Sequence, residues 1–193
     1  MKHDLAHIML VGPQASGKST IQDALAQQGY EKIISYTTRP PRNNELDGID
    51  YWFLNDDEFT AAFVDSELTC IRSYPTAMGI WRYGFAWKDL NRAVDSVAVI
   101  DPSGYLELRN QMQDVFGIFI DIPDDIRRKH LTVRGDNPIE VKRRWDADNK
   151  DFELIRKEYT EVFDMRIGQE RSTKENIDRI LMYINKWKNG DME

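Results

Sequence analysis

The chain has 193 residues, of which 41% are hydrophobic and 31% are charged, and its net charge is −7. This length and composition are typical of a globular protein with one well-packed core and a small insertion. The acidic balance argues against nucleic acid or an acidic membrane surface as a partner. The single Cys70 cannot form an internal disulfide, and the apolar run at residues 8–11 is too short for a membrane span or a signal-peptide core. We therefore expect a cytoplasmic protein.

The first predicted elements are an apolar strand over residues 6–11, a glycine-rich loop and a helix over residues 19–28. The loop matches the pattern G-x-x-x-x-G-K-[ST] at every fixed position, with the residues Gly12, Pro13, Gln14, Ala15, Ser16, Gly17, Lys18 and Ser19. In such a P-loop, backbone N–H groups surround a phosphate chain, the lysine reaches the outer phosphates and the serine hydroxyl binds Mg²⁺. A chance glycine-rich turn is the alternative, but strand, loop and helix follow one another in the order that a phosphate site requires.

A stiff basic turn follows a second strand predicted at residues 33–35. Residues 37–42 read Thr-Thr-Arg-Pro-Pro-Arg, in which the prolines forbid a helix and restrict the backbone. Arg39 and Arg42 form a pair of guanidinium groups that can clamp one doubly charged phosphate with fork-shaped hydrogen bonds. A solvated basic loop is the alternative, but the prolines and the nearby Glu45 favour a preorganised acceptor-phosphate site.

Residues 35–86 have a hairpin-like pattern of their own and are predicted to form an insertion in a larger α/β frame. Asn55 and Glu58 form a capping-box pattern that opens a helix in this segment. The short strands predicted around that helix lie at residues 51–54, 68–72 and 82–85.

The apolar strands of a parallel sheet return at residues 97–100 and 117–122. Asp101 directly follows the first of them, at the edge where α/β folds bind ligands, and Ser103 is predicted to cap the next helix. The pattern then predicts helices between residues 124 and 163, a short strand at 165–167 and a last helix with an apolar stripe.

The chain resembles the guanylate kinase family. The resemblance is carried by residues 12–20, 35–42 and 45–53, and the long stretch over the last two is specific to this family and its close relatives. Weaker similarities run through nearly the whole chain in the family's order, at residues 82–84, 101, 133–135, 143–144 and 163–164.

The resemblance implies an α/β fold made of a three-layer P-loop core with a parallel sheet, an inserted small mixed β subdomain and a helical lid. In one domain of 193 residues, the core would cover residues 1–34 and 87–193, the monophosphate-binding insertion residues 35–86 and the lid about 127–147. The implied activity is transfer of the γ-phosphoryl group of ATP, with Mg²⁺, to a nucleoside monophosphate. GMP or dGMP is the expected acceptor, and the expected assembly is a monomer or homodimer.

The resemblance also implies roles for individual residues. The expected catalytic residues are Lys18, Arg39, Arg42, Arg134 and Arg144. The expected ATP-binding residues are those of the P-loop at positions 12–19 together with Thr20 and Gln169, and Ser19 is the expected metal ligand. The expected acceptor-binding residues are Ser35, Arg39, Arg42, Glu45, Tyr51, Cys70, Tyr83 and Asp101.

Three positions depart from the family's pattern, and all concern the base of the acceptor. Cys70 falls where the family places a glutamate that accepts hydrogen bonds from the guanine edge. Phe85 falls where a small hydroxyl residue contacts the base, and Val99 replaces the first acid of a D-x-D pattern. The phosphate-handling residues are intact, whereas the base-reading residues are altered.

Three alternatives remain open. The first is a diverged kinase that acts on another phosphorylated small molecule. The second is a guanylate-kinase-like module that binds a partner without chemistry, although such relatives have damaged P-loops and Lys18 and Ser19 are present here. A regulatory GTPase is weaker, because the chain has no N-K-x-D element to read guanine and the turn at residues 37–42 would be unexplained.

Overall fold

The computed structural model of the chain describes residues 2–42, 45–76, 78–134, 138–158, 160–168 and 172–191. The strands within these ranges are β1 (His7–Val11), β2 (Glu31–Lys32), β3 (Tyr36–Thr37), β4 (Trp52–Phe53), β5 (Leu68–Thr76), β6 (Gly79–Ala86), β7 (Ser96–Val99), β8 (Val115–Ile120) and β9 (Met165–Ile167). The helices are α1 (Lys18–Ala26), α2 (Asp56–Val64), α3 (Trp87–Leu90), α4 (Pro102–Gln111), α5 (Asp124–Arg134), α6 (Pro138–Glu158) and α7 (Thr173–Asn189), and a 3₁₀ turn covers Thr160–Val162.

Five strands form a parallel sheet in the order β2-β7-β1-β8-β9. The central strand β1 is buried along its whole length because helices cover both faces of the sheet. Since side chains alternate along a strand, Ile8 and Leu10 pack with α1 and α7 on one face, whereas Met9 and Val11 pack with α4 on the other. The carboxyl ends of β1 and β7 lie at the same edge, where the P-loop and Asp101 meet one cavity.

Four strands form a second, mixed sheet in the order β4-β3-β6-β5, in which β3 and β4 are parallel and the other pairs antiparallel. Helix α2 packs on this sheet through Phe59, which is buried with Leu68 and Ala86. The predicted capping box of Asn55 and Glu58 opens this helix. The predicted α/β class, with a parallel sheet and a smaller mixed sheet, is confirmed.

The helix after β7 begins earlier than the sequence predicts. Its N-cap is Asp101 rather than Ser103, because the extended backbone at Asp101 lets its carboxylate accept the N–H of Gly104, and Pro102 takes the first helical position. The carboxylate of Asp101 is therefore fixed in orientation at the ligand-binding edge of the sheet.

The strand predicted at residues 33–35 lies earlier in the chain. Glu31 and Lys32 pair with β7, and beyond them only the N–H of Ile33 still bonds to that strand. Among the helices that the structure describes, none combines the length and apolar character needed to span a bilayer.

Candidate active site

The loop between β1 and α1 has the features of a phosphate cradle. Gly17 precedes α1 in the left-handed region, with a φ of 91°, and has no side chain to cover the helix N-terminus. The Nζ of Lys18 lies across the loop and donates to the carbonyl oxygens of Gly12 at 2.7 Å and Pro13 at 2.8 Å. The Ser16 hydroxyl is buried without a hydrogen-bond partner among the described residues, as expected of a group that awaits an anion.

A side chain at position 12 has no room. A Cβ atom on Gly12 would lie 2.6 Å from the backbone oxygen of Ile120 and 2.8 Å from the Ser16 hydroxyl oxygen. Because Ile120 belongs to the buried strand β8, we expect Gly12→Ala to lower the free energy of unfolding by about 1–3 kcal/mol and to weaken nucleotide binding. Thermal denaturation and nucleotide titration measure both effects. Gly168→Ala is the control, since a Cβ there meets nothing within 4 Å, and equal melting temperatures for the two variants would contradict the cradle geometry.

Helices α5 and α6 contact the P-loop through a buried arginine. The Arg127 side chain is fully buried and stacks on Trp145, with its Nε donating to the Gln14 carbonyl at 3.0 Å. Asp148 on α6 accepts the N–H of Gln14 at 2.6 Å and lies 3.5 Å from Arg127, which also bonds Asp124. Burial lowers the pKa of Arg127, and the two aspartates oppose that shift. A protein carboxylate thus uses one of the P-loop N–H groups.

The basic turn is organised around a buried ion pair. Arg39 is only 3% exposed, and its two terminal nitrogens bond the two oxygens of Glu45 at 2.8 and 2.9 Å. Glu45 also accepts the backbone N–H of Arg42 at 2.8 Å, whereas the Arg42 side chain is more exposed. Burial by itself raises the pKa of Glu45, but the bonds from Arg39 and Arg42 outweigh it and the net shift is downward. The guanidinium of Arg39 lies over the ring of Tyr51, 5.1 Å from its centre.

A cavity of about 290 Å³ lies between the P-loop and the mixed sheet. Its walls bring together many of the residues predicted from sequence, namely Gly12, Gln14, Lys18, Ser35, Tyr51, Cys70, Tyr83 and Asp101. Arg39, Glu45 and Arg42 are not among the lining residues: Arg39 lies over the ring of Tyr51, which lines the cavity, and Glu45 pairs with both arginines. Ser19 and Thr20 are exposed on the first turn of α1.

Three predicted residues cannot be compared with this arrangement. Gln169 lies outside the described residues. Arg134 ends α5 and Arg144 lies within α6, but their side chains are outside the described part of the chain. Their predicted roles stay predictions.

Comparison with known proteins identifies the family. The family model described as guanylate kinase matches residues 5–185. This chain belongs to the guanylate kinase family. It is 33% identical over 136 residues to the guanylate kinase of Lactobacillus johnsonii, with 69% of this chain and 67% of that protein covered. It is also 33% identical over 143 residues to the guanylate kinase of Chlamydia muridarum, with 71% and 69% covered.

The fold agrees with the family. A crystal structure of guanylate kinase from Anaplasma phagocytophilum superposes with a TM-score of 0.68 at 24% identity, covering 98% of this chain and 87% of that one. Guanylate kinases are nucleoside monophosphate kinases, so the chain is an enzyme of that class. A kinase of this class binds two phosphorylated substrates, which accounts for one cavity being lined both by the P-loop and by a second set of polar groups.

The positions where the chain departs from the guanylate kinase pattern all lie on the cavity. Cys70, Phe85 and Val99 line it and contribute a thiol, an aromatic ring and an aliphatic side chain. Burial, with Glu107 nearby, raises the pKa of the Cys70 thiol to about 11, and its Sγ donates to the carbonyl of Gly104. The thiol therefore remains neutral where the family pattern has a carboxylate.

Sequence reasoning missed several residues of this guanylate kinase site. Tyr74 and Trp81 line the cavity from opposite positions in the β5–β6 ladder, and Asp148 and Phe152 line it from α6. The alternation of side chains along β5 and β6 signals which residues share a face, but only once the register is known. Arg72 bonds Asp101 beside the cavity but belongs to no recognisable sequence motif.

Proposed function

We propose that this enzyme transfers the γ-phosphoryl group of ATP to a nucleoside monophosphate, with GMP or dGMP as the acceptor. The observation that carries the proposal is a single cavity lined both by Lys18 of the P-loop and by Ser35 and Tyr51, which precede β3 and β4, and Tyr83 of β6. The curated relatives named as guanylate kinases support GMP as the acceptor.

The donor side fits the phosphates of a nucleotide. The cradle that a Cβ at Gly12 would fill and the unpartnered hydroxyl of Ser16 are the features expected of a loop that surrounds an anion. Lys18 would exchange its carbonyl partners for phosphate oxygens. No cluster of three or more acidic, histidine or cysteine side chains among the described residues forms a metal cage, so Ser19 and the phosphates would hold Mg²⁺, which supplies positive charge beside the transferred group.

The acceptor side supplies positive charge and hydroxyl donors. Glu45 holds the guanidinium of Arg39 in one orientation, and Arg42 stands beside it with a more exposed side chain. Burial raises the pKa of Tyr51, and its protonated hydroxyl would be a donor for a phosphate oxygen. Because two phosphates repel each other, such groups lower the barrier by holding both in line and balancing their charge.

The helices beside the P-loop are proposed to act as the lid, at about residues 127–147, over an insertion at residues 35–86. The hydrogen bonds that join Arg127 and Asp148 to Gln14 support a lid that is in direct contact with the P-loop. Arg134 and Arg144 would approach the transferred phosphoryl group when that lid closes, and closure would exclude water and limit ATP hydrolysis. A cytoplasmic location, as a monomer or homodimer without nucleic acid, completes the proposal.

A diverged kinase for another monophosphate is the second candidate, because Cys70 and Phe85 alter the base end of the cavity. The test measures the rate of ADP release for each of the common nucleoside monophosphates as acceptor, at fixed concentrations of ATP and Mg²⁺. We expect GMP or dGMP to be turned over fastest. Turnover of GMP no faster than that of the other acceptors would favour the second candidate, and binding of neither ATP nor ADP would favour a module without catalysis.

A further inference from the structure

An irregularity in β5 places one arginine beside the residues that line the cavity. The β5–β6 register shifts between Thr69 and Arg72, and Cys70 inside this bulge has a left-handed φ of 52°. Beyond the bulge, Arg72 is opposite Tyr83 and Tyr74 is opposite Trp81. Directly opposed and alternate residues share a face, so Arg72 lies on the face whose Tyr74, Trp81 and Tyr83 line the cavity.

Two carboxylates on α4 and its N-cap hold the guanidinium of Arg72. Its Nε donates to Asp101 at 3.2 Å, and its Nη1 donates to Glu107 at 3.1 Å. The other oxygen of Glu107 accepts the N–H of Cys70, so both oxygens of this carboxylate already accept hydrogen bonds from residues of β5. Asp101 differs from Glu107 because it lines the cavity itself. Arg72 is not among the residues that line the cavity, and its Nη1 also donates to the carbonyl of Ile71 at 2.7 Å, but its guanidinium lies against the lining carboxylate of Asp101, so a fixed donor stands beside a fixed acceptor next to the cavity.

A neighbouring donor and acceptor match one kind of base edge. Guanine and hypoxanthine present a carbonyl oxygen beside a ring N–H, so the oxygen meets the guanidinium and the N–H meets the carboxylate. Adenine presents an amino donor beside a ring nitrogen acceptor, which is the reverse order and leaves donor against donor and acceptor against acceptor. A site built for the first arrangement rejects the second strongly, because its polar groups are then left unpaired.

We propose that Arg72 is a specificity-determining residue that, paired with Asp101, reads the carbonyl and ring N–H of a 6-oxopurine monophosphate and rejects the 6-aminopurine. The proposal rests on the proposed monophosphate kinase function and deepens it. Cys70, Phe85, Tyr74 and Trp81 offer no charged group at this end of the cavity, so the reading of the base is concentrated in this pair.

The test compares IMP with AMP, which differ only at this edge of the base. In the unaltered protein we expect kcat/KM for IMP to exceed that for AMP. Arg72→Met should reduce this IMP-to-AMP ratio about 10- to 100-fold, the effect of losing a hydrogen bond from a charged group, while KM for ATP stays within about twofold. Arg72→Lys keeps the charge but loses the fork, so we expect an intermediate ratio.

Arg82→Met is the matched control. Arg82 lies on the adjacent strand, but its guanidinium bonds Asp56 and Thr60 of α2 rather than the cavity. We expect its IMP-to-AMP ratio to equal that of the unaltered protein. If Arg72→Met or Arg72→Lys lowers turnover of IMP and AMP by the same factor, Arg72 is only structural and the inference is wrong. If the unaltered protein phosphorylates no monophosphate, the proposed function itself fails, which is a separate result.

Discussion

Lys18→Met is expected to lower kcat for phosphoryl transfer by about 10²–10³-fold with every acceptor, the effect of removing one preorganised charge from a transition state. The ammonium group of Lys18 lies 2.7 Å from the Gly12 carbonyl and 2.8 Å from the Pro13 carbonyl, within the mouth of the phosphate cradle. Methionine is unbranched like lysine and one heavy atom shorter, and it lacks the charge and the donors. The substitution therefore removes the ammonium group together with its bonds to the Gly12 and Pro13 carbonyls.

The measurement is steady-state ADP release together with a thermal melt. Lys32→Met is the matched control, because Lys32 makes an ordinary surface ion pair with Asp23 and is not among the residues that line the cavity. We expect its kcat to stay within about twofold of the unaltered value. An unreduced kcat for Lys18→Met would contradict a catalytic role for this residue of the P-loop.

Arg39→Ala is expected to raise KM for the monophosphate by about 100-fold or more and to leave KM for ATP nearly unchanged. In the proposed function Arg39 donates to the acceptor phosphate, and in the structure its buried guanidinium is paired with Glu45, so its removal would delete the proposed donor and leave the carboxylate without this partner. Truncating one side of a buried ion pair costs about 3–5 kcal/mol, so the melting temperature should also fall. Acceptor titration at saturating ATP, ATP titration at saturating acceptor and a thermal melt separate the effects.

Arg42→Ala provides the comparison within the same turn. Arg42 is 36% exposed at its side chain against 3% for Arg39, and Glu45 keeps its fork when Arg42 is truncated. We expect Arg42→Ala to raise KM for the acceptor with little loss of stability. Equal changes in the two KM values of Arg39→Ala would contradict the assignment of this turn to the acceptor.

The sequence was sufficient where a short stretch carries its own geometry. The P-loop and the Thr-Thr-Arg-Pro-Pro-Arg turn are local, because glycines, prolines and a nearby acid fix their shape without help from the rest of the chain. The capping box at Asn55 is local for the same reason, and the structure contains it.

The sequence was insufficient where distant segments decide the outcome. Arg72 is one arginine in a strand, and only the bulge and the packing of β5 on α4 direct it to Asp101. Arg127 belongs to a basic helix whose sequence does not indicate which arginine points inward, and packing against Trp145 and the P-loop buries this one fully. Asp101, rather than the predicted Ser103, is the N-cap of α4. Aspartate and serine are both favoured at this position, so the backbone at the end of the strand decides where the helix begins.

The bond from the Gln14 N–H to Asp148 makes this carboxylate a competitor for any phosphate that uses the same N–H group. A phosphate that uses this N–H must first displace a carboxylate of α6, so the apparent affinity for ATP is lower than the intrinsic affinity of the loop by the equilibrium constant of that displacement. Arg127 then loses one of its acidic neighbours at the moment the nucleotide arrives. Occupancy of the donor site and the position of α6 are thereby linked through one exchange of anions, and the indole of Trp145 stands beside it as a natural fluorescent reporter.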